Sequence, residues 1–403
     1  MAGGTAAVTI DARDIEAKAA QVAERAAALH ALAAAAADKV RAAEMREALT
    51  RTDAGLALNA ALQALAESRA RLRTVSLAAY QARTAGGAVR RRGRIVRRVE
   101  RLLARLKWPG RAALIAQSGL WPKSAPGLLA YARGRPQAPP KGLLFDEAWY
   151  RTQNADLANL RGPGLSHYLT AGAAEGRSPH PLLHHAFYAR ANAEALARTG
   201  LTPLQHYAAV GRQGGLSPHP LFDPAHYLAQ GPSLAADEDP LAHYLRRGWR
   251  DGLTPHPLFD PAFVVAQAPR ETYGQPPLVY YLTEGWRRGV SPHPLFDAPW
   301  YLAENADVAA GGEEPLTHYL TYGARERRDP SPWFDSAWYV RQRGEALSAE
   351  ADPLTDYLTG GAWIVAEPRP GFAGAAYLVA HPELARDATT PLEHWARRSR
   401  DAR

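Results

Sequence analysis

Apolar residues near the start of the chain recur at the spacing of a coiled-coil helix. Between Asp11 and Ala43 the steps alternate between 4 and 3 residues, at Ile15, Ala19, Val22, Ala26, Leu29, Ala33, Ala36, Val40 and Ala43. Alternating steps of 4 and 3 place one apolar stripe along a helix, which is the seam of a coiled coil. Ala also forms helices wherever it occurs, so a solitary helix without a partner is the alternative.

A second helix is predicted from about Leu56 to Ala79, after the turn-prone segment Thr50 to Gly55. Its leucines at 58, 62, 65 and 72 fall on one face. The two helices therefore either fold into an antiparallel hairpin or associate with a second copy of the chain as a homo-oligomer. We assign residues 1–82 to Ala-rich coiled-coil helices.

Residues 83–121 are predicted to form a basic amphipathic helix, followed by a Pro/Gly-rich linker at 122–142. We expect contact with an anionic membrane surface, because basic residues alternate there with apolar residues at helical spacing. Nucleic-acid phosphates are an alternative partner that we do not favour, and acidic groups of the rest of the chain are another. The candidate membrane-contact residues are Arg90, Arg91, Arg94, Arg97, Arg98, Arg101, Arg105 and Trp108.

Residues 143–403 contain about seven copies of one repeat of about 38 residues. One anchor is an aromatic residue that follows Pro-Leu-x-His or a variant of it, at Tyr168, Tyr207, Tyr244, Tyr281, Tyr319, Tyr357 and Trp395. A Phe-Asp pair and a Pro-His-Pro-Leu segment recur in fixed order around it. Each unit is too small to bury a core of its own, so neighbouring units must stack.

One unit, Phe222 to Leu258, predicts a pair of short helices. Asp223-Pro224 and Asp239-Pro240 each place a capping carboxylate before a Pro at the first helical position. Gly248 lies where a left-handed helix end is expected. The predicted fold is therefore all-α, with an N-terminal helical coiled-coil region followed by an array of about seven short helix-pair repeats.

Charge separates the two parts of the chain. Residues 1–142 hold 25 Lys and Arg against 10 Asp and Glu, a net charge of +15, while residues 143–403 hold 23 against 30, a net −7. The absence of cysteine excludes disulfides and thiolate metal sites. No apolar run is long enough to span a membrane and the start lacks the shape of a secretory signal, so we expect a cytoplasmic protein, peripheral on the inner membrane.

The repeat resembles a known one, most clearly in the fifth unit, from Phe296-Asp297 through Asn305-Ala306-Asp307-Val308 to His318-Tyr319-Leu320. It is similar to the repeat that accompanies glycosyltransferase domains in bacterial surface-polysaccharide enzymes and that occurs in some secreted calcium-binding repeat proteins. The resemblance implies a setting in cell-surface glycan assembly. No transferase domain and no Gly-Gly-x-Gly-x-Asp nonapeptide is present in these 403 residues.

Candidate chemical motifs are weak in this sequence. Asp237-Glu238-Asp239 has the letters of a sugar-nucleotide metal motif, but Asp239 is better explained as a helix cap. The repeated histidines recur once per unit without a nearby second ligand, which favours packing over metal binding. We therefore expect no catalytic residues, no metal and no cofactor.

Tryptophans also recur in the repeats, and Trp249 and Trp286 are candidates for contact with a glycan or partner protein, although filling the inter-repeat core is the alternative. The sequence thus predicts a non-catalytic scaffold or binding protein in bacterial cell-surface polysaccharide assembly. A glycosyltransferase, or an accessory part of a split one, is the alternative enzyme hypothesis. A nucleic-acid binder acting through the Arg-rich helix is the third.

Overall fold

The computed structural model describes residues 53–91, 143–159, 163–235, 238–347, 351–364, 366–381, 383–384 and 389–401. Within these ranges the regular elements are helices, and extended pairing is limited to isolated bridges such as that between His180 and Leu183. The all-α prediction is therefore confirmed for the described part of the chain. The predicted seam at 11–43, the linker at 122–142 and the basic stretch beyond Arg91 lie outside it.

Each of the seven repeat units contributes a first and a second helix. The first helices are Glu147–Gln153, His185–Ala191, Pro224–Ala229, Pro261–Gln267, Ala298–Glu304, Ser336–Arg343 and Gly374–Ala380. The second helices are Gly164–His167, Pro203–His206, Pro240–His243, Pro277–Thr283, Pro315–His318, Pro353–Thr359 and Pro391–Asp401. The repeated helix pair predicted from the sequence is confirmed.

Shorter helical turns extend or join these pairs. π-Helical turns follow four of the second helices, at Tyr168–Gly172, Tyr207–Gly211, Tyr244–Gly248 and Tyr319–Gly323. The 3-10 turns are Ala155–Leu157, Gly285–Arg288, Gly344–Ala346 and Gly361–Ile364, and the additional α-helices are Ala193–Thr199, Arg212–Gly214 and Ala306–Gly311.

Side-chain caps fix where the helices of a unit begin. Asp223 accepts hydrogen bonds from the backbone N–H groups of Ala225 and His226, at 2.9 and 3.1 Å, and Pro224 occupies the first helical position. Asp239 accepts from Leu241 in front of the second helix. Both predicted caps are confirmed, and they satisfy backbone donors that a helix start leaves unpaired.

A hydrogen-bonded tyrosine–histidine pair joins the two helices of five units. The tyrosine hydroxyl lies 2.6 to 3.0 Å from the histidine Nδ1, in the pairs Tyr150–His167, Tyr188–His206, Tyr227–His243, Tyr301–His318 and Tyr377–His394. In the sixth unit Asp356 replaces the histidine and accepts the hydroxyl of Tyr339 at 2.5 Å. These contacts give the repeated histidine a packing role.

The prediction for Gly248 is wrong, and the reason is steric. Gly248 lies inside a π-helical turn, and a side chain there would overlap the hydroxyl of Tyr227. The left-handed residue is Gly252, with φ of +76° and open space where a side chain would start. Both positions demand Gly, one because of close approach and the other because of backbone conformation.

Backbone hydrogen bonds connect successive units along the array. The N–H at each Phe-Asp position donates to the carbonyl of a proline that opens the following Pro-x-Pro segment. The pairs are Asp146–Pro179, His184–Pro218, Asp223–Pro255, Asp260–Pro292, Asp297–Pro330 and Asp335–Pro368, at 2.9 to 3.1 Å. This repeated bond sets the stacking of one unit on the next.

Units three places apart also meet, so the array winds back on itself. Arg190 of the second unit donates to the carbonyl of Thr321 in the fifth unit and lies over the Tyr322 ring, 5.3 Å from its centre. Arg397 of the seventh unit pairs with Asp260 of the fourth. Contacts at this separation make the array a closely wound coil.

The long helix Asp53–Arg91 packs against this coil. Its buried Tyr80 hydroxyl donates to the carbonyl of Arg212 at 2.7 Å, and the Thr84 hydroxyl donates to the carbonyl of Gln213 at 2.7 Å. It contacts the third unit as well as the helices of the sixth. The predicted helix 56–79 therefore exists but is longer, and it continues through the boundary that the sequence places at residue 82.

Candidate functional site

A cavity of about 640 Å³, the inner cavity, lies between the long helix and the repeats. Its walls come from the long helix and from the third, fourth, sixth and seventh units. The lining residues that determine its polarity and shape are Arg69, Ala70, Leu72, Arg73, His226, His256, Phe259, Asp260, His293, Asp356, Leu358 and Glu393. Cavities of this size bind small molecules in many proteins.

The long helix contributes two arginines to the cavity wall. Arg73 pairs with Asp223, whose other carboxylate oxygen caps the first helix of the third unit. Arg69 is partly buried and has no ion pair within the described residues. One cation of this wall is thus neutralised by the repeats, and the other remains available to a ligand.

The repeats contribute imidazoles that are held in one orientation. The Nδ1 atom of His256 accepts the backbone N–H of Leu258 at 3.1 Å, and His293 accepts that of Leu295 in the same way. An imidazole that accepts at Nδ1 carries its proton at Nε2 when neutral. Burial lowers the pKa of His256, so its Nε2–H is a hydrogen-bond donor on a neutral ring.

His226, on the first helix of the third unit, is the third imidazole that lines the inner cavity. Its Nε2 lies 2.7 Å from the hydroxyl of Thr254, and burial lowers its pKa to about 4. His226 and His256 are therefore uncharged at neutral pH and add polarity to the cavity without adding charge.

Three carboxylates also line the cavity, each paired with an arginine. Asp260 and Glu393 both pair with Arg397, and Asp356 pairs with Arg343. Burial opposes ionisation of Asp260, but the hydrogen bonds from Arg397 and from the backbone of Phe263, together with the charge of Arg397, outweigh it and lower the pKa. The three side chains remain between 14 and 19% exposed, so they keep some oxygen surface for a ligand.

The candidate membrane-contact residues lie at the end of the long helix or outside the described residues. Arg90 and Arg91 are the last residues of the long helix, whereas Arg94, Arg97, Arg98, Arg101, Arg105 and Trp108 lie outside the described residues. Their contact with a membrane stays a prediction.

Trp249 and Trp286 occupy different environments. Trp249 is half-buried and lines a second, more open cavity of about 780 Å³ together with Val265 and the exposed Tyr273. Trp286 is only 8% exposed and belongs to the core. The guanidinium of Arg250 lies 4.3 Å from the Trp249 ring centre, and Arg287 covers Trp286 at the same distance.

Asp239 is occupied by structural contacts. Besides capping its helix, it accepts the Tyr207 hydroxyl of the preceding unit at 3.1 Å. Burial raises its pKa to about 6. In the described part of the chain no three His, Asp or Glu side chains are grouped so as to hold a metal ion.

Comparison with known proteins returns no relative. No family model, no curated protein and no solved structure matches this chain. The similarity of the repeat to that of the surface-polysaccharide enzymes therefore stays a prediction.

The sequence alone does not predict the inner cavity. Its walls are brought together by units three places apart and by a helix that we assigned to a separate region. One signal was present, because His256 and His293 recur in the same Pro-His-Pro-Leu segment and so must lie on the same side of successive units. Nothing in that spacing indicated that the long helix covers them.

Proposed function

We propose that this chain is a non-catalytic repeat scaffold that binds a protein or glycan partner in bacterial cell-surface polysaccharide assembly, and that it associates peripherally with the inner membrane. The docked long helix is the observation that carries the proposal. It is anchored to the repeats through Arg73, Tyr80 and Thr84, and its last residues, Arg90 and Arg91, open the basic stretch. Anything that binds this stretch would therefore hold the repeat array in place.

The use of the recurring polar side chains supports a scaffold role. The histidines of the second helices bond to tyrosines, and those of the Pro-His-Pro-Leu segments accept their own backbone N–H groups. The aspartates of the Phe-Asp pairs cap helices. Residue types that often perform catalysis are thus engaged here in holding units together.

The open cavity beside Trp249 is the partner surface we propose on the outside of the array. Trp249 is partly accessible there, its buried Nε1–H has no hydrogen-bond partner among the described residues, and Tyr273 beside it is 90% exposed. Tyr and Trp side chains are enriched at binding surfaces.

Membrane association would be peripheral and electrostatic. No helix among the described residues is both long and apolar enough to cross a membrane. Basic residues near an anionic surface each contribute about 1 kcal/mol, and salt weakens the attraction.

Co-sedimentation with phosphatidylglycerol-containing liposomes tests the membrane part of the proposal. The variant R94Q/R97Q/R98Q/R101Q should bind such liposomes on the order of a thousandfold more weakly than the natural chain. The matched control, R198Q/R270Q/R325Q/R341Q, removes four exposed arginines of the repeats and should bind normally. Equal binding by both variants would contradict a tether in the basic stretch.

The same samples distinguish the other hypotheses. High salt should release the natural chain from anionic liposomes, and neutral liposomes should not retain it. Tight, salt-sensitive binding of duplex DNA without liposome binding would favour the nucleic-acid hypothesis. Turnover of a sugar nucleotide by the purified chain would favour the enzyme hypothesis.

A further inference from the structure

We infer that the inner cavity is a binding site for a saccharide of one or two rings. This inference deepens the proposed binding role and rests on it, because it names the ligand class of a scaffold that serves glycan assembly. The cavity walls support it, because they combine apolar faces with fixed hydrogen-bonding groups and little net charge.

The charge balance of the walls argues against a strongly charged ligand. Arg73, Arg343 and Arg397 already neutralise carboxylates at the cavity. A phosphate would face the oxygen surface of Asp260, Asp356 and Glu393, and a divalent cation would face Arg69. An uncharged ligand avoids both repulsions.

Donors and acceptors are both present at fixed positions. His256 offers an Nε2–H for which the described residues provide no acceptor, and its ring is held in place through Nδ1. Arg69 offers further N–H groups, and the three carboxylates offer oxygen atoms. A sugar hydroxyl both donates and accepts hydrogen bonds, so a polyhydroxylated ring satisfies both kinds of group at once.

Apolar surface separates these polar groups. Leu72, Phe259 and Leu358 line the cavity, and Leu72 of the long helix is 51% exposed at its edge. The C–H face of a sugar ring packs on such surface while its rim of hydroxyls reaches the polar groups. A purely apolar ligand would instead bury Arg69 without a partner and cover the remaining oxygen surface of the carboxylates, which is costly.

Ligand binding to the full chain can be measured by isothermal titration calorimetry and saturation-transfer NMR. The probes are glucose, galactose, mannose, N-acetylglucosamine, maltose and cellobiose, with inorganic phosphate and octanoate as comparators. We expect saturable binding of at least one saccharide. Binding of phosphate or octanoate but of no saccharide would overturn the inference, as would binding of no probe at all.

Two matched pairs of variants locate the site. Ala70→Phe places a ring at the cavity wall and should weaken saccharide binding at least tenfold, whereas Ala79→Phe, on the opposite exposed face of the same helix, should not. His256→Asn keeps an acceptor for the backbone two residues on but removes the Nε2–H, so it should weaken binding at least threefold. His219→Asn makes the same change at a buried histidine that does not line the cavity and should have no effect.

The two pairs also separate this inference from the proposed function. Saccharide binding that neither Ala70→Phe nor His256→Asn weakens would place the sugar elsewhere and overturn the inference. Ala70→Phe should leave liposome binding unchanged. Loss of liposome binding in the basic-stretch variant, with no saccharide binding by the natural chain, would leave the tether standing and remove only the ligand assignment.

Discussion

The third and fourth units share the same pair of helices but fill the space between them with different side chains. In the third unit Tyr227 and His243 form a buried hydrogen bond of 2.6 Å beside Gly248. In the fourth unit Val264 replaces the tyrosine and Tyr280 replaces the histidine, and both are buried. The buried tyrosine ring therefore belongs to the first helix in the third unit and to the second helix in the fourth. In both units it fills the same space between the two helices.

This difference clarifies the role of the repeated histidine. In the fourth unit the tyrosine of the first helix and the histidine are both absent, and in the sixth unit Tyr339 is kept and bonds to Asp356 in place of the histidine. The histidine thus occurs only where it can accept the hydroxyl of the tyrosine. A metal or catalytic role would require the histidine whatever its neighbour is. The comparison therefore identifies the tyrosine, the histidine and the glycine as one packing group.

Gly248→Ala should destabilise the third unit severely, with the largest effect on folding that we expect from a single substitution in this packing group. The new methyl group would overlap the Tyr227 hydroxyl, which is buried and held by His243. We expect a loss of about 3 kcal/mol or more in the free energy of unfolding, because overpacked cores are strained. Urea denaturation measures it.

Gly285→Ala is the control in the fourth unit, where the nearest atom would be Cε1 of Tyr280 at 3.0 Å. This ring edge can shift by a few tenths of an ångström, so the loss should be about 1 kcal/mol or less. Equal losses at the two glycines would show that close approach to Tyr227 is not what selects Gly248.

Placing the fourth unit's valine and tyrosine at the equivalent positions of the third unit should show that the stability effects of the two substitutions are strongly coupled. Tyr227→Val leaves the Nδ1 of buried His243 unpaired, and His243→Tyr places two large rings in one space. The double variant restores the arrangement of Val264 and Tyr280. We expect it to be about 2 kcal/mol more stable than the sum of the two single losses predicts.

A mismatched pair serves as the control for this cycle. Tyr301→Val with His243→Tyr alters two units whose altered residues are not each other's partners. Their losses should add to within about 0.5 kcal/mol. Additive behaviour of the matched pair as well would refute the packing group.

Local features of the units could be predicted from the sequence because each depends on neighbouring residues. The caps Asp223 and Asp239 were found from a carboxylate followed by Pro, and the helix pair followed from the spacing of anchors. Gly248 was misassigned because close approach and left-handed backbone both select Gly. The letters of the sequence do not distinguish these two causes.

The inner cavity could not be predicted, because its walls are far apart in the chain. Asp260 meets Arg397 and Asp223 meets Arg73 only after the array has wound and the long helix has docked. A period of about 38 residues specifies contacts between successive units. It does not specify the twist that brings every third unit into contact, which is the sum of small rotations between units.

The second helices of the third and fourth units also differ in the residue that precedes their first turn. This difference predicts that the stability of the two units depends differently on pH. Asp239 caps the helix of the third unit, whereas Pro276 precedes that of the fourth without a side-chain cap. Burial raises the pKa of Asp239 to about 6, while an unfolded Asp titrates near 3.9. Between these values the folded chain holds the proton more tightly, so stability falls as pH rises from about 4 to 6.

Asp239→Asn should remove this fall while keeping an acceptor for Leu241 and Tyr207. Relative to the natural chain, the variant should gain about 2 to 3 kcal/mol between pH 4 and pH 7.5 in urea denaturation, because it has no carboxylate to bury. Some pH dependence should persist, since burial also raises the pKa of Asp352 to about 6.

Glu304→Gln, a change at an exposed side chain, is the control and should leave the dependence of stability on pH unaltered. If Asp239→Asn leaves it unaltered as well, the buried carboxyl of the third unit is not the group that titrates, and the two units do not differ in this respect.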